Sequence, residues 1–177
     1  MKPRVGISRC LLGEEVRYDG SHKLSSAIVD LTPFVEWVPV CPEVEVGMGV
    51  PREPIQLVRH ADGVRSGDES VRLKGVDSAE DWTERMERWA RARVADLAAV
   101  GISGFVLKAR SPSCGPTGVL VHGDRDAPSP TGRGLFAEAV ATNTPGLPMT
   151  DEEALGDAET RERFLQSVRA FAATLRR

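Results

Sequence analysis

Gly104–Gly118, GFVLKARSPSCGPTG, decides the architecture of this chain. Its first part, GFVLKA, is a short apolar run between a glycine and the charged Lys108, the pattern of a buried strand. The remainder alternates serine, proline and glycine, which is turn chemistry, so Cys114 lies just beyond a strand end. Immediately upstream, the stretch from Ala79 to Val100 repeats Trp82, Met86, Trp89, Ala90, Val94 and Leu97 at helical spacing. Glu84, Arg85, Glu87, Arg88 and Arg91 take the opposite face. Ser78 with Asp81 three residues on resembles a capping box, and Gly101 suits a left-handed cap at the other end. With VRLKG before the helix, the strand–helix–strand order calls for a right-handed crossover in a parallel sheet.

The other two cysteines repeat the pattern. RVGIS (residues 4–8) runs into Arg9 and Cys10, and VEWVPV (35–40) runs into Cys41, with Pro39 expected at the strand's tail or at a bulge. If these strands lie parallel to GFVLKA, all three thiols emerge at one carboxyl edge, where open α/β sheets place their ligands. Between them, Ser25 or Ser26 caps a short helix over AIVDL that must stop before Pro33. Cys41 to Pro54 reads as a loop, and IQLVRH with VRLKG as a hairpin-like pair. Leu135 to Val140 suggests a short helix and LPMT a last strand. From about Glu159 a terminal helix carries Phe164, Leu165, Val168, Phe171, Ala172 and Leu175 on one face. Ala127–Arg133 is the most loop-like segment.

The expected fold is α/β, a mostly parallel sheet flanked by helices, in a single domain spanning 1–177. A chain of 177 residues, 41% hydrophobic and 28% charged, is an ordinary globular one, and its net charge of −3 gives no general pull toward nucleic acid or membrane. No apolar stretch has the length of a membrane-spanning helix. The N-terminus breaks too early for a secretory signal, and an odd cysteine count argues against a disulfide framework, which places the protein in the cytoplasm.

Three free thiols admit several chemistries. Buried cysteine as a small hydrophobe predicts positions inside periodic apolar faces, yet all three sit at strand ends beside proline or glycine. Zinc would need a fourth ligand, such as His22, His60 or His122, and the paired C-x₂-C spacing is missing. A cysteine nucleophile with a histidine base leaves two thiols unexplained. Three soft thiolates favour an iron–sulfur cluster with one iron left open. Arg9, Lys108 and Arg110, close to the thiols in sequence, would help keep them deprotonated.

The segments SRCLLGEEVRYDGSHK, VCPEVEVGMGVPREPIQL and LKARSPSCGPTG resemble the signature segments of the DUF523 family, whose characterised members are thiouracil desulfurases (TudS-like proteins). The resemblance implies a Rossmann-like α/β domain with a [4Fe-4S] cluster on three cysteines. It also implies removal of sulfur from a thiolated pyrimidine, with the sulfur taken by the open iron. Cys10, Cys41 and Cys114 match the family's cluster ligands, Glu43 its catalytic acidic residue, and Ser111 a serine acting at the same site. Glu45 competes with Glu43. Ser8, Tyr18, Asp19, Arg52, Lys108 and Ser113 form an outer set of candidate substrate contacts, with turn formation and surface ion pairing as their plainer roles.

Beyond Gly118, the segments RGLFAEAV and GLPMTDEEAL with the terminal helix (about 150–177) resemble members that carry a second, DUF1722-type domain linked to thiouridine in tRNA. That domain is absent from this sequence, which favours a small thiolated nucleobase or nucleoside over tRNA. A non-catalytic cluster or zinc protein, acting as sulfide carrier or sensor, is the contrasting class; it would not need Glu43. Monomer and homodimer both remain open.

Overall fold

The computed structural model describes residues 2–60, 70–123 and 127–176. Among the described residues, eight strands form two four-stranded sheets. The first has the order β2-β1-β5-β8, with β1 at Arg4–Ser8, β2 at Glu36–Val40, β5 at Ile102–Leu107 and β8 at Met149–Asp151. Each neighbouring pair is parallel. The chain leaves β1 toward β2 on one side and later returns to its other side at β5, so the direction of winding switches beside β1. Ligands of open α/β sheets bind at such a switch, outside the carboxyl ends of the strands.

Local sequence explains these elements. β5 is buried at all six positions, as expected of a strand covered on both faces. Its Phe105 and Leu107 face the helices α3 (Thr83–Ala99) and α4 (Leu135–Asn143), joining Ala90, Val94, Leu97 and Phe136 in one cluster. Val106 points the other way, into a second cluster with Val5, Ile7, Ile28, Leu31 and Val168 under α1 (Ser26–Leu31) and α5 (Ala158–Thr174). The alternation along β5 therefore divides the core in two. Phe105 and Phe136 meet edge to face at 5.5 Å, a geometry worth about 0.5–1.5 kcal/mol beyond the area it buries. Pro39 lies inside β2 opposite Ile7, which is tolerated because β2 is an edge strand whose outer backbone needs no partner. Asp157 caps α5 by accepting the amide of Thr160 at 2.7 Å.

The second sheet, β4-β3-β6-β7, bears out one expectation and corrects two. IQLVRH and VRLKG do pair antiparallel, as β3 (Ile55–His60) and β4 (Ser70–Gly75). However, β4 belongs to a different sheet from β5, so α3 links two sheets and is not the crossover of one. A helix that buries Met86 against the second sheet and Ala90, Val94 and Leu97 against the first can serve both. Ala127–Arg133 is not simply loop: Ser129–Gly132 forms β7, antiparallel to β6 (Val119–His122). Pro130 is accommodated because β7 is an edge.

The helix over 79–100 also starts later than expected. Ser78 hydrogen-bonds Glu53 in place of a helix amide, Ala79 takes a left-handed φ of 57°, and Asp81 accepts the amide of Thr83 at 3.0 Å. Gly101, with φ of 74°, ends the helix as anticipated. Ser25 occupies the cap position of α1, but its hydroxyl makes no capping bond. No helix among the described residues is long and apolar enough to cross a membrane.

Candidate active site

The three strands that lead into the cysteines are adjacent and parallel, so their carboxyl ends deliver the thiols to one place. Cys10 sits in a 3₁₀ turn, Arg9–Leu12, directly after β1, where Gly13 closes the turn with a φ of 90°. Cys41 follows β2 at the cap position of α2 (Pro42–Glu45), a single turn where a loop was expected; Pro42 is tolerated at its first position, where an amide would have no helical partner. Cys114 lies in the loop after β5. All three thiols are free and buried, and all three line one cavity of about 440 Å³.

The loop of Cys114 is shaped by the two serines that flank Pro112. The hydroxyl oxygen of Ser111 accepts the amides of Ser113 at 3.3 Å and Cys114 at 3.1 Å. The first turn of α4 holds the same loop from below. Phe136 N donates to Ser113 O at 2.9 Å, and Gly134 N donates to Gly115 O at 2.8 Å. Free helix amides commonly find such acceptors.

Glu43 and Glu45 leave α2 in different directions. Glu43 is buried in the cavity wall, with Oε2 3.6 Å from Cys41 Sγ and Oε1 accepting a hydrogen bond from Ser113. Arg52 approaches Oε2 at 3.9 Å while donating to Val16 O at 3.0 Å and Gly49 O at 2.8 Å. Glu45 turns away: it accepts the amide of Cys41 at 3.1 Å and pairs with Arg93 on α3 at 3.0 Å. Among the two carboxylates, only Glu43 faces the thiols.

The outer candidates separate in the same manner. Ser8 and Tyr18 line the cavity; Ser8 Oγ accepts the amide of Lys108 at 2.9 Å, and Tyr18 is 41% exposed at the rim. Asp19 accepts the amide of Ser21 at 3.0 Å and its hydroxyl at 2.6 Å in a surface turn, and it does not line the cavity. Ser113 is fully buried behind the wall. Arg52 and Lys108 border the cavity, but their charged ends are engaged inside the protein, Lys108 by Glu152. His22 and His122 do not line it, and the His60 side chain lies outside the described residues.

Glu152 escaped the sequence reading. It follows β8, accepts the amide of Ala109 at 2.8 Å and ties the start of the Cys114 loop to the sheet through Lys108. Its only sequence signal was position, one residue past the last strand. Arg9 and Arg110 likewise bond Glu14 and Glu153, so the cations next to the thiols in sequence are partnered by carboxylates. Burial accordingly dominates the thiols. It raises Cys10 from 9.0 to about 11, aided by the negative charge of Glu43, with Lys108 opposing. It raises Cys41 to about 12, and pushes Cys114 well up, again with Glu43 as the second cause. Without a metal these are neutral thiols at physiological pH, and ligation must displace their protons.

Among the described residues no three histidine, cysteine or acidic side chains are grouped to hold a single metal ion. Three soft thiols spread around one cavity, with no disulfide between them, fit a multi-iron cluster whose ligands bind separate irons. Fold and site together define a mixed α/β protein with a thiol-lined pocket and a buried carboxylate at the carboxyl edge of its parallel sheet.

Within that class the chain belongs to the 2-thiouracil desulfurase family, whose model matches residues 5–152. It is 34% identical over 132 residues to the uncharacterized protein YbbK of Bacillus subtilis (strain 168), covering 74% of this chain and 85% of that protein. The solved structure of the [4Fe-4S]-dependent thiouracil desulfidase TudS is similar in fold. The two share a TM-score of 0.66 and 30% sequence identity over 88% of this chain and 94% of TudS.

Proposed function

We propose that this protein is an iron–sulfur desulfidase that replaces the sulfur of a small thiolated pyrimidine, a thiouracil or thiouridine, with oxygen. The observation that carries this is Glu43, a buried carboxylate 3.6 Å from Cys41 Sγ in the wall of a three-thiol cavity. The [4Fe-4S] dependence of TudS supports the cofactor, and Cys10, Cys41 and Cys114 would hold it. A cubane on three cysteines leaves one iron open, and that iron supplies a Lewis-acid seat for sulfur.

Exchange of C=S for C=O consumes one water and yields sulfide, with no net electron transfer. Glu43 takes a proton from the attacking water at Oε2, the oxygen that faces the thiols. Ser111, which lines the cavity with its oxygen holding the backbone amides of its own loop, borders the ring or the departing sulfur and orients it by contact. Tyr18 at the rim and Ser8 beneath it border the space for the ring. We read residues 1–177 as one domain of this kind, with its core motifs in 4–118; the packing of α5 against β1 and β5 supports including the terminal helix.

The test compares Glu43→Gln with Glu45→Gln in reconstituted protein. Glu43→Gln with full iron should lose at least about 100-fold in kcat toward 2-thiouracil or 4-thiouridine, the usual scale of general-base catalysis. Glu45→Gln should stay within a few-fold. Equal losses would refute a single base. Full activity of Glu43→Gln would move the base to another residue, and an iron-loaded wild type without turnover would favour a sulfide carrier.

A further inference from the structure

We propose that Ser113 is a positioning residue that holds Glu43 in its working orientation, and not a contact to the substrate. The directions of the hydrogen bonds follow from the donors available. A carboxylate accepts only, so the Ser113 hydroxyl must give its single proton to Glu43 Oε1. The 3.1 Å bond between Ser111 Oγ and Ser113 Oγ must then be donated by Ser111. That direction suits Ser111, because its own oxygen already accepts the amides of Ser113 and Cys114. The outcome is a one-way chain, Ser111 to Ser113 to Glu43, running from the cavity wall to the carboxylate.

Placement agrees with this role. Ser111 and Glu43 both line the cavity, whereas Ser113 does not and has no exposed surface. Ser113 reaches Glu43 across a sequence separation of 70 residues and so fixes the Cys41 turn to the Cys114 loop. The opposite carboxylate oxygen has a competing attraction. Arg52 stands 3.9 Å from Oε2, beyond hydrogen-bonding distance, its guanidinium held in place by bonds to Val16 O and Gly49 O while further N–H groups stay available to a carboxylate that moves closer. Ser113 is therefore what keeps Glu43 beside Cys41 rather than closed onto Arg52.

This role rests on Glu43 being the base, and the experiment separates the two claims. Wild type, Ser113→Ala, Glu43→Gln and the double variant are reconstituted and compared for iron content, kcat, KM and affinity for uracil, the oxygen-bearing product. Ser113→Ala should keep its iron, KM and uracil affinity within about twofold while kcat falls roughly 10- to 100-fold, the scale of a misplaced reacting group. The double variant should be no slower than Glu43→Gln alone, since the serine acts through the carboxylate. A raised KM with weakened uracil binding would overturn the proposal in favour of direct substrate contact. Loss of iron, or unchanged kcat, would overturn it as well.

A crystal structure of Ser113→Ala supplies the readout that needs no turnover. Glu43 should swing into direct contact with Arg52. If wild type proves inactive but this swing occurs, the desulfidase function fails and the positioning role stands. If Glu43 keeps its place without Ser113, the positioning role fails whatever the activity.

Discussion

Replacing Gly134 with alanine should disturb the third thiol from behind, without touching the cavity. Gly134 has an ordinary extended conformation, φ −62° and ψ 146°, so alanine meets no backbone penalty there. The obstacle is space. An added Cβ would stand 2.4 Å from both Ser113 C and Ser113 O and 2.7 Å from Cys114 N, closer than the 3.0 Å below which real Cβ atoms are essentially not found. These are backbone atoms, and no rotamer change relieves them. The loop must retreat by roughly 0.6–1 Å, an overpacking cost of about 1–3 kcal/mol. For a chain of this size that lowers Tm by about 2–12 °C. The retreat moves Ser113 and Cys114 together, so iron uptake and kcat should fall beyond what the lost stability explains. The assay is iron and sulfide per chain after anaerobic reconstitution, beside thermal melting of the cluster-free protein. Gly156→Ala, with nothing within 4 Å of its added carbon, is the control. Full iron and an unchanged Tm in Gly134→Ala would refute the reasoning.

Two further outcomes are expected. Glu152→Ala removes the carboxylate from the Lys108 ammonium and the acceptor from the Ala109 amide, both well shielded, and should cost about 3 kcal/mol; Lys108→Met with Glu152→Leu should recover only the part due to the charge, as chemical denaturation would show. An unimpaired Glu152→Ala would contradict the bracing role. The cluster-free protein should also weaken in alkali. The native state keeps the protons of Cys10 and Cys41 up to about 11 and about 12, while the unfolded chain releases them near 9.0. The stabilisation is therefore complete below pH 9 and declines as pH climbs through about 11. Urea melts at about pH 8 and about pH 10.5 should differ in wild type and differ less in Cys10→Ser; equal slopes would contradict burial as the cause.

The sheet of the thiols was legible because three of its strands are apolar runs, each followed within a few residues by a cysteine in a turn. Nothing local reports which sheet a strand joins. VRLKG looks the same whether it pairs with GFVLKA or with IQLVRH, so the second sheet and the linking role of α3 emerged only in three dimensions. β7 was hidden by its composition, Ser-Pro-Thr-Gly, since an edge strand needs only half its backbone bonded and can carry proline. Ser78 resembled a helix cap until Glu53, 25 residues away, took its hydroxyl.

At the site, Cys10, Cys41, Cys114, Glu43 and Ser111 were named in advance and line a common cavity. The choice between Glu43 and Glu45 lay beyond the sequence, because it depends on Arg93 from another helix. Arg52 and Lys108 looked free to bind an anion only because their partners, the Val16 and Gly49 carbonyls and Glu152, are either backbone or distant. Asp19 accepts the amide and hydroxyl of Ser21 in a surface turn.

The most direct measurement is iron and acid-labile sulfide per chain after anaerobic purification, in wild type and in Cys10→Ser, Cys41→Ser and Cys114→Ser, with sulfide release from 2-thiouracil and 4-thiouridine followed in parallel. A cubane on these cysteines predicts about four irons and four sulfides in wild type, loss of both in each variant, and sulfide release that disappears with them. A single zinc with no iron after reconstitution, or full iron in all three serine variants, would contradict it.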